Sequence, residues 1–523
     1  MLQQLLYIVA PSEISSTKEA MERLGAKPIS TISPFTTTYL LEHKLLGDLK
    51  LEITMLSDLD GVAPHMRQYP VDLLVYDERE SQIPALEGIL RIRDDVAALA
   101  DLWGPDFYFP LSRVIAILSH EDQRGHRSFE LGRLNVRDVM VSPKSTARLL
   151  RWIRDVLYGG VIRRNRIGIA LSGGGIEGFL YQIGVTHALN QALEERSMYE
   201  VDVISGISSG ALAGTVLASR VQMSEIIKSI YNVPSKIPPM KSQILYDLAA
   251  SKISRRFIKE SLSWSLKPSR WLTNAAKTIP TGFFKGAALE GYFRDVLESA
   301  GQPDDFEKLH TELYIGATDQ DSMDHVTFGQ KGWNKMKITE ACRASSAFPL
   351  LFRPKSILGR RYIDGQVTRS CNLDIVVQRG ARLVFVIDPL KPSRSYKAGT
   401  AEAEGGFYGA IQVVKALCST RFEQNLKSVS NQYPDVDFLI FQPDEKCAEL
   451  MSGSPMRYRI RTQLIELAYK STLRKLRDRH LVYQSKLSRY GFQLCSQEKL
   501  KELEKDYDKI FEAPDEGGSG EAL

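Results

Sequence analysis

The sequence predicts an α/β protein: two α/β units in series, then a helical extension. Three observations carry that expectation. Short apolar strands alternate with amphipathic helical stretches over the first 160 residues, the alternation resumes after the basic stretch Val161-Ile-Arg-Arg-Asn-Arg166, and from Pro455 onward apolar residues fall at helical spacing. With 523 residues, 43% hydrophobic and 25% charged, the chain has apolar material for several cores, which excludes a largely disordered protein.

In the first unit the spacing predicts strands over Gln4–Val9, Leu49–Met55, Val71–Tyr76, Arg113–Leu118 and Val136–Val141. Helices are predicted over Ser16–Leu24, Ala85–Leu99 and Ser145–Tyr158, the last with Leu149, Leu150, Ile153 and Val156 on one face. Five βα units make a small doubly wound sheet. Because Val71-Asp-Leu-Leu-Val-Tyr-Asp77 ends its third strand on a carboxylate, residues 1–160 resemble a response-regulator receiver domain. The pattern departs from that family at two places. Ala10-Pro11-Ser12-Glu13 supplies at most one carboxylate where receivers hold Mg²⁺ with an acidic pair, and Val141-Ser142-Pro143 has serine where a lysine is expected. The resemblance therefore implies a regulatory or partner-docking fold, a homo-oligomer contact included, with Asp77 a polar strand end and no metal-assisted phosphate uptake.

Composition excludes other classes. Sixty-eight basic against 63 acidic residues leave a net charge of +5, too small on this length for a bulk grip on nucleic acid, so no nucleic-acid partner is expected. Five cysteines without a C-x-x-C spacing indicate neither a disulfide scaffold nor a metal site. Residues 1–11 lack the basic start and cleavage site of a signal peptide, and no run of 18 apolar residues occurs, so a cytoplasmic protein touching membranes at most from the surface is expected.

The second unit, 161–450, carries the chemistry. Strands are predicted over Ile167–Leu171, Val201–Ser205, Glu312–Ala317, Arg361–Ile363, Leu383–Ile387 and Val436–Phe441. The first runs into Gly173, Gly174, Gly175 and Gly178 and then a helix, which frees backbone N–H groups to hold negative charge. Gly173-x-Gly175-x-x-Gly178 also satisfies the dinucleotide fingerprint, whereas no Gly-Lys-Ser/Thr follows to make a P-loop. The next strand decides between these uses. Val201-Asp-Val-Ile-Ser-Gly206-Ile-Ser208-Ser209-Gly210 passes through G-x-S-x-G into a helical stretch, the strand, turn and helix of a nucleophile elbow with Ser208 at its centre. Gly206 and Gly210 are the small residues so tight a turn requires.

A serine nucleophile needs a proton acceptor. None of the eight histidines has a defensible strand-end setting, with His187 placed on the helix after the glycine loop. Two carboxylates do end strands: Asp364, followed by the permissive Gly365, and its rival Asp388, in Phe385-Val-Ile-Asp388-Pro389. A partly desolvated carboxylate beside the serine has the basicity the step needs, and the glycine favours Asp364.

Gly-Gly-Gly-x-x-Gly, then G-x-S-x-G, then Asp-Gly resembles the ordered signature of patatin-like phospholipases over about 166–389. Ile279-Pro-Thr-Gly-Phe-Phe284, Tyr314-Ile-Gly-Ala-Thr-Asp319 and Cys342-Arg-Ala-Ser-Ser-Ala-Phe-Pro349 extend the likeness. The resemblance implies a three-layer α/β/α core and a Ser208/Asp364 dyad. It also implies an oxyanion hole from the N–H groups of Gly173–Gly175, hydrolysis of phospholipid or other acyl-ester lipid, and no metal or organic cofactor. Glu177 departs from the Arg or Lys common in that loop, and Gln366 from the small residue common after Asp-Gly.

Two further stretches stand out. Residues 252–285 interleave eight basic residues with Phe257, Trp264, Trp271, Phe283 and Phe284, a pattern suited either to peripheral membrane contact or to an ordinary cap helix. Within the extension, 451–513, the cations from Arg457 to Arg477 are expected to form a solvated face, and 514–523 to be a disordered tail. Two alternatives stand beside hydrolysis: acyl transfer through the same dyad, and a non-catalytic lipid-binding scaffold.

Overall fold

Strands that are apolar on both faces must be covered on both faces, and among the described residues the two large sheets carry a core on each face. The computed structural model describes residues 2–10, 14–33, 36–46, 49–81, 83–103, 109–119, 126–141, 146–158, 166–247, 282–392, 405–453 and 456–507. The expectations for the 161–165 linker, for 252–281 and for the 514–523 tail lie outside the described residues.

The N-terminal unit contains β1 (Leu2–Ile8), β2 (Lys27–Ser33), β3 (Thr36–Glu42), β4 (Lys50–Leu56), β5 (Leu73–Asp77), β6 (Val114–Leu118) and β7 (Asp138–Val141). They form one sheet in the order β2-β3-β4-β1-β5-β6-β7. From β4 to β7 the strands are parallel, and the crossing of β1 between β4 and β5 gives a doubly wound order. Alternate residues divide between two cores. Leu5, Tyr7, Leu73 and Val75 pack with Ile153 of α5 (Thr146–Tyr158), while Leu6, Ile8, Leu74 and Tyr76 pack with Ile89 and Ile92 of α3 (Ala85–Trp103). Helices α1 (Ile14–Arg23), α2 (Val62–Gln68) and α4 (His126–Arg133) complete the connections.

The antiparallel hairpin β2–β3 was not expected from the sequence. It extends the sheet at its β4 edge, where Pro28, lacking an N–H, costs least. Asp77 ends β5 as expected and is fully buried, accepting from Tyr7 Oη at 2.7 Å and from Arg79 Nε and Nη2 at 2.9 and 2.7 Å. Both carboxylate oxygens are thus engaged in holding the strand end.

The second unit is built on β8 (Arg166–Leu171), β9 (Val203–Ile207), β10 (Glu312–Asp319), β11 (His325–Phe328), β12 (Lys355–Ile357), β13 (Arg360–Asp364), β14 (Ala381–Ile387) and β15 (Asp437–Phe441). The order is β12-β13-β10-β9-β8-β14-β15, with β11 paired to β10. The five strands from β10 to β15 are parallel, and β11, β12 and β13 make an antiparallel edge. Ile167, Ile169 and Leu171 face α6 (Gly175–Ala192) and α7 (Ser209–Ala218). Ala170, Val384 and Val386 face α9 (Leu373–Gln378) and α10 (Gly406–Gln432), so the core is a three-layer α/β/α arrangement; α8 (Ile338–Ser345) flanks β10.

The extension belongs to this core. Helix α11 (Arg461–Asp478) buries Leu464, Ile465, Ala468 and Leu476 against α6. The approach is close: a side chain on Gly184 would start 2.5 Å from the Ile465 carbonyl oxygen. Its cations do not form the solvated face expected, since Arg474 and Arg477 pair with Glu504 at 3.0 and 2.9 Å, and Arg461 Nε donates to Ile230 O at 2.9 Å. Among the described residues no helix is long and apolar enough to cross a membrane.

Candidate active site

Two register relations bring the predicted nucleophile and base to one end of the sheet. Ile207 lies level with Gly316, so the next residue, Ser208, emerges beside Ala317; Ala317 in turn lies level with Asp364 across the antiparallel pair. Ser208 follows β9 and caps α7 with φ 54° and ψ −119°, a left-handed conformation that a residue with a Cβ adopts at a cost of roughly 1–3 kcal/mol. The surroundings hold it there. Ser208 N donates to Ser345 Oγ at 2.7 Å, and Ser345 Oγ donates to Gly316 O at 2.6 Å, which pins the elbow to α8 and β10. The turn also needs Gly206 and Gly210 bare: a Cβ on Gly206 would lie 2.2 Å from Gly210 O, and one on Gly210 2.4 Å from Leu171 O.

Asp364 ends β13 with none of its surface exposed. Its backbone is tied on both sides, N–H to Ala347 O at 3.0 Å and C=O to Thr318 Oγ1 at 3.1 Å. Oδ1 accepts from Gln366 N at 2.9 Å, and Oδ2 has no hydrogen-bond partner among the described residues. Burial pushes the carboxyl up to about 7, with the Ser208 hydroxyl and the Gln366 N–H pulling it partly back. The Ser208 hydroxyl thus lies beside the carboxylate without making a well-aligned hydrogen bond to Oδ2. Gly365 allows the approach, since its Cβ would lie 2.4 Å from Gly316 O.

Ser208 and Asp364 open into one pocket with Gly174 and Gly175 on its rim and Leu212, Leu289, Phe348, Phe352 and Ile411 among its walls. Gly175 has φ 64°, and Gly178 N–H closes the first turn of α6 on Gly174 O at 2.9 Å, so the N–H groups before it are the unpaired ones of a helix start. Gly173 sits behind them under Gln366, whose amide would be 2.4 Å from a Cβ there, and Gly178 packs on Ser209. The rival carboxylate is occupied elsewhere. Asp388 is buried, accepting from Ser172 Oγ, from Gln442 Nε2 at 2.8 Å and from Leu390 N at 3.3 Å, and it does not line the pocket.

Residues 169–377 match the family model described as patatin-like phospholipase. This segment is a patatin-like phospholipase domain. Proteins of that family are in general lipid acyl hydrolases acting on lipid ester substrates. A solved structure, VipD from Legionella pneumophila, is similar over 68% of this chain and 81% of its own, with 13% identity and a TM-score of 0.25.

Residues beyond the patatin-like segment make contacts with it that the sequence does not disclose. Glu177, on the first turn of α6, is 1% exposed and pairs with Arg457 Nε at 2.8 Å from 280 residues away. Burial raises its carboxyl, while Arg457 and then Lys415 oppose that rise. The carboxylate that stands where the resembled family commonly has Arg or Lys is thus matched by cations from the C-terminal half. Of the histidines, His187 is buried in α6 beside Tyr469, and burial lowers it to about 4; His325 reaches Asp364 only through Thr368 and Thr318. Among the described residues no cluster of His, Cys, Asp or Glu suits a metal ion.

Proposed function

We propose that the protein is a serine acyl hydrolase that cleaves carboxylic esters of lipids through Ser208 and Asp364. The observation that carries the reading is the pairing of a strained serine with a buried carboxylate whose Oδ2 is unpartnered, in one largely apolar pocket. Ser208 Oγ attacks the ester carbonyl as its proton passes to Asp364, and the backbone N–H groups of the Gly173–Gly175 loop receive the oxyanion, with Gly174 and Gly175 nearest the pocket. Asp364 returns the proton to the leaving alkoxide. Water, deprotonated by the same carboxylate, then releases the fatty acid. Residues 161–450 would carry this chemistry, 451–513 would complete its core, and 1–160 would regulate it or dock a partner.

A fluorophosphonate probe tests the dyad. We expect one adduct, on Ser208 by peptide mass spectrometry, lost in Ser208→Ala, slowed at least 100-fold in Asp364→Ala and retained in Asp388→Asn. Labelling that survives Asp364→Ala undiminished would remove the base from the scheme.

A further inference from the structure

The seam between the two units is not closed throughout. Where the turn after α2, the residues before β6, the far end of α10, β15 and α12 (His480–Ser488) come together, they leave a cavity of about 80 Å³. Its walls come from all three parts of the chain: Met66, Tyr69 and Phe109 from the N-terminal unit, Leu426 and Phe438 from the core, and Val482 from the extension. Three cations, Arg113, Arg479 and Lys486, share this lining, and among the described residues no carboxylate does. Arg113 is matched by Asp437, and Arg479 donates through Nε to Arg67 O at 3.2 Å, across the seam. Two hydroxyls complete the site. Ser430 is 6% exposed, Tyr69 is stacked on His65 with ring centroids 4.8 Å apart, and neither hydroxyl has a hydrogen-bond partner among the described residues. A buried hydroxyl left unpaired is unfavourable, and a ligand that supplies its partner recovers the loss.

Cations and hydroxyls within an apolar hollow match a carboxylate on a compact apolar body. The volume is about half that of an apolar cavity of ~150 Å³ that takes benzene, which limits the body to a few carbons. We propose that this junction cavity binds a short-chain carboxylate, and that its occupancy restrains the Ser208 pocket through α10. That helix runs unbroken from Gly406 to Gln432. Ile411, Val414 and Lys415 wall the Ser208 pocket, while Leu426 and Ser430 wall the junction cavity, and Lys415 to Ser430 is about 22 Å along the axis. The Ser208 pocket itself holds about 70 Å³, so a long acyl chain enters only as the walls part. A carboxylate that joins Ser430 to Lys486 and Arg479 fixes the far end of one wall, and chain entry then has to displace a helix held at both units. The restraint rests on the hydrolase reading; the binding site does not.

The test uses the full chain with butanoate, 1-butanol and acetate, binding being followed by ligand-observed NMR. We expect butanoate to bind with a Kd of about 1 mM, at least fivefold more tightly than the neutral alcohol or acetate. Ser430→Met, which fills the cavity, should abolish binding, and Ser430→Ala and Lys486→Gln, which leave the walls in place, should each weaken it threefold or more. In hydrogen exchange, bound butanoate should slow the amides of 420–432 and 437–441. Labelling of Ser208 by a fluorophosphonate should slow threefold or more at saturating butanoate, and this slowing should vanish in Ser430→Met. Equal affinity for butanoate and butanol, acetate binding as tightly as butanoate, or full affinity in both Ser430→Ala and Lys486→Gln overturns the site. Slowing that persists in Ser430→Met would place butanoate in the Ser208 pocket itself and overturn the restraint, as would binding at the junction with no change in labelling. Binding with no adduct on Ser208 at all would leave the junction site standing and sink the hydrolase reading.

Discussion

In the proposed mechanism Asp364 must meet two demands that conflict: to sit in an apolar interior and to be ionised when it takes the proton of Ser208. Its carboxyl, raised by burial to about 7, makes the consequence measurable. The base must be unprotonated, so kcat/KM on a soluble ester should fall about tenfold per pH unit below about 7 and level off above it. Stability moves the other way. Between about pH 4 and 7 the unfolded chain has released this proton while the folded protein keeps it, so folding loses stability as pH rises through that window, and the full cost is present above 7. Asp364→Asn, which keeps an acceptor for Gln366 N, should therefore stabilise the protein by roughly 2–4 kcal/mol at pH 8 and by about 1 kcal/mol or less at pH 4.5. Urea unfolding of both proteins at the two pH values checks this. A difference independent of pH would mean that the carboxylate is not destabilised by its site.

At the scale of elements, the close crossing of α6 and α11 holds the C-terminal helix on the glycine-loop helix. Gly184→Ala puts a methyl group 2.5 Å from Ile465 O and 2.9 Å from Ala468 Cβ. Because the nearer atom is backbone, the helix itself must move, and we expect a loss of about 1–3 kcal/mol by chemical denaturation, with a change under 0.5 kcal/mol contradicting the packing. The same contact separates what the sequence discloses from what it hides. The buried parallel strands were legible to within about two residues at most ends, since continuous apolar runs bounded by turns leave little choice. The elbow was legible because its requirements are local: a serine, two glycines and the helix after them. The hairpin β2–β3 was not, as Pro28 and Thr36-Thr37-Thr38 look like loop chemistry until β4 offers an edge. Nor were Ser345 as the anchor of Ser208 N or Arg457 as the partner of Glu177. Those contacts join residues 137 and 280 positions apart, and no periodicity in one chain encodes them.

Across the whole molecule, the two sheets meet through charge as well as apolar surface. Arg113, at the start of β6, donates to the Asp437 carboxylate at 3.0 Å and to Pro434 O at 3.1 Å; Arg137 reaches Asp435 at 3.1 Å; and Arg489 joins Asp437, at 3.5 Å, to Asp72 of the N-terminal unit. Burial alone would raise the Asp437 carboxyl, but Arg113 and then Arg489 outweigh it and hold it down at about 2. A depressed carboxyl contributes stability that is present above about pH 4 and is lost as pH falls towards 2. Removing its charge also leaves the largely buried Arg113 guanidinium without a carboxylate and Arg489 with Asp72 alone, the costlier half of breaking such a cluster. We expect Asp437→Asn to lose about 2–4 kcal/mol at pH 7, with the gap to the parent narrowing between pH 4 and 2. Because the cluster ties one unit to the other, the loss should fall unevenly. In hydrogen exchange, the amides of β5 and β6 should exchange faster in the variant while those of β8 and β9 keep their protection. Equal loss of protection in both sheets would show that the units unfold as one body, and that the junction transmits any signal from the N-terminal sheet to the Ser208 pocket through packing and not through these ion pairs.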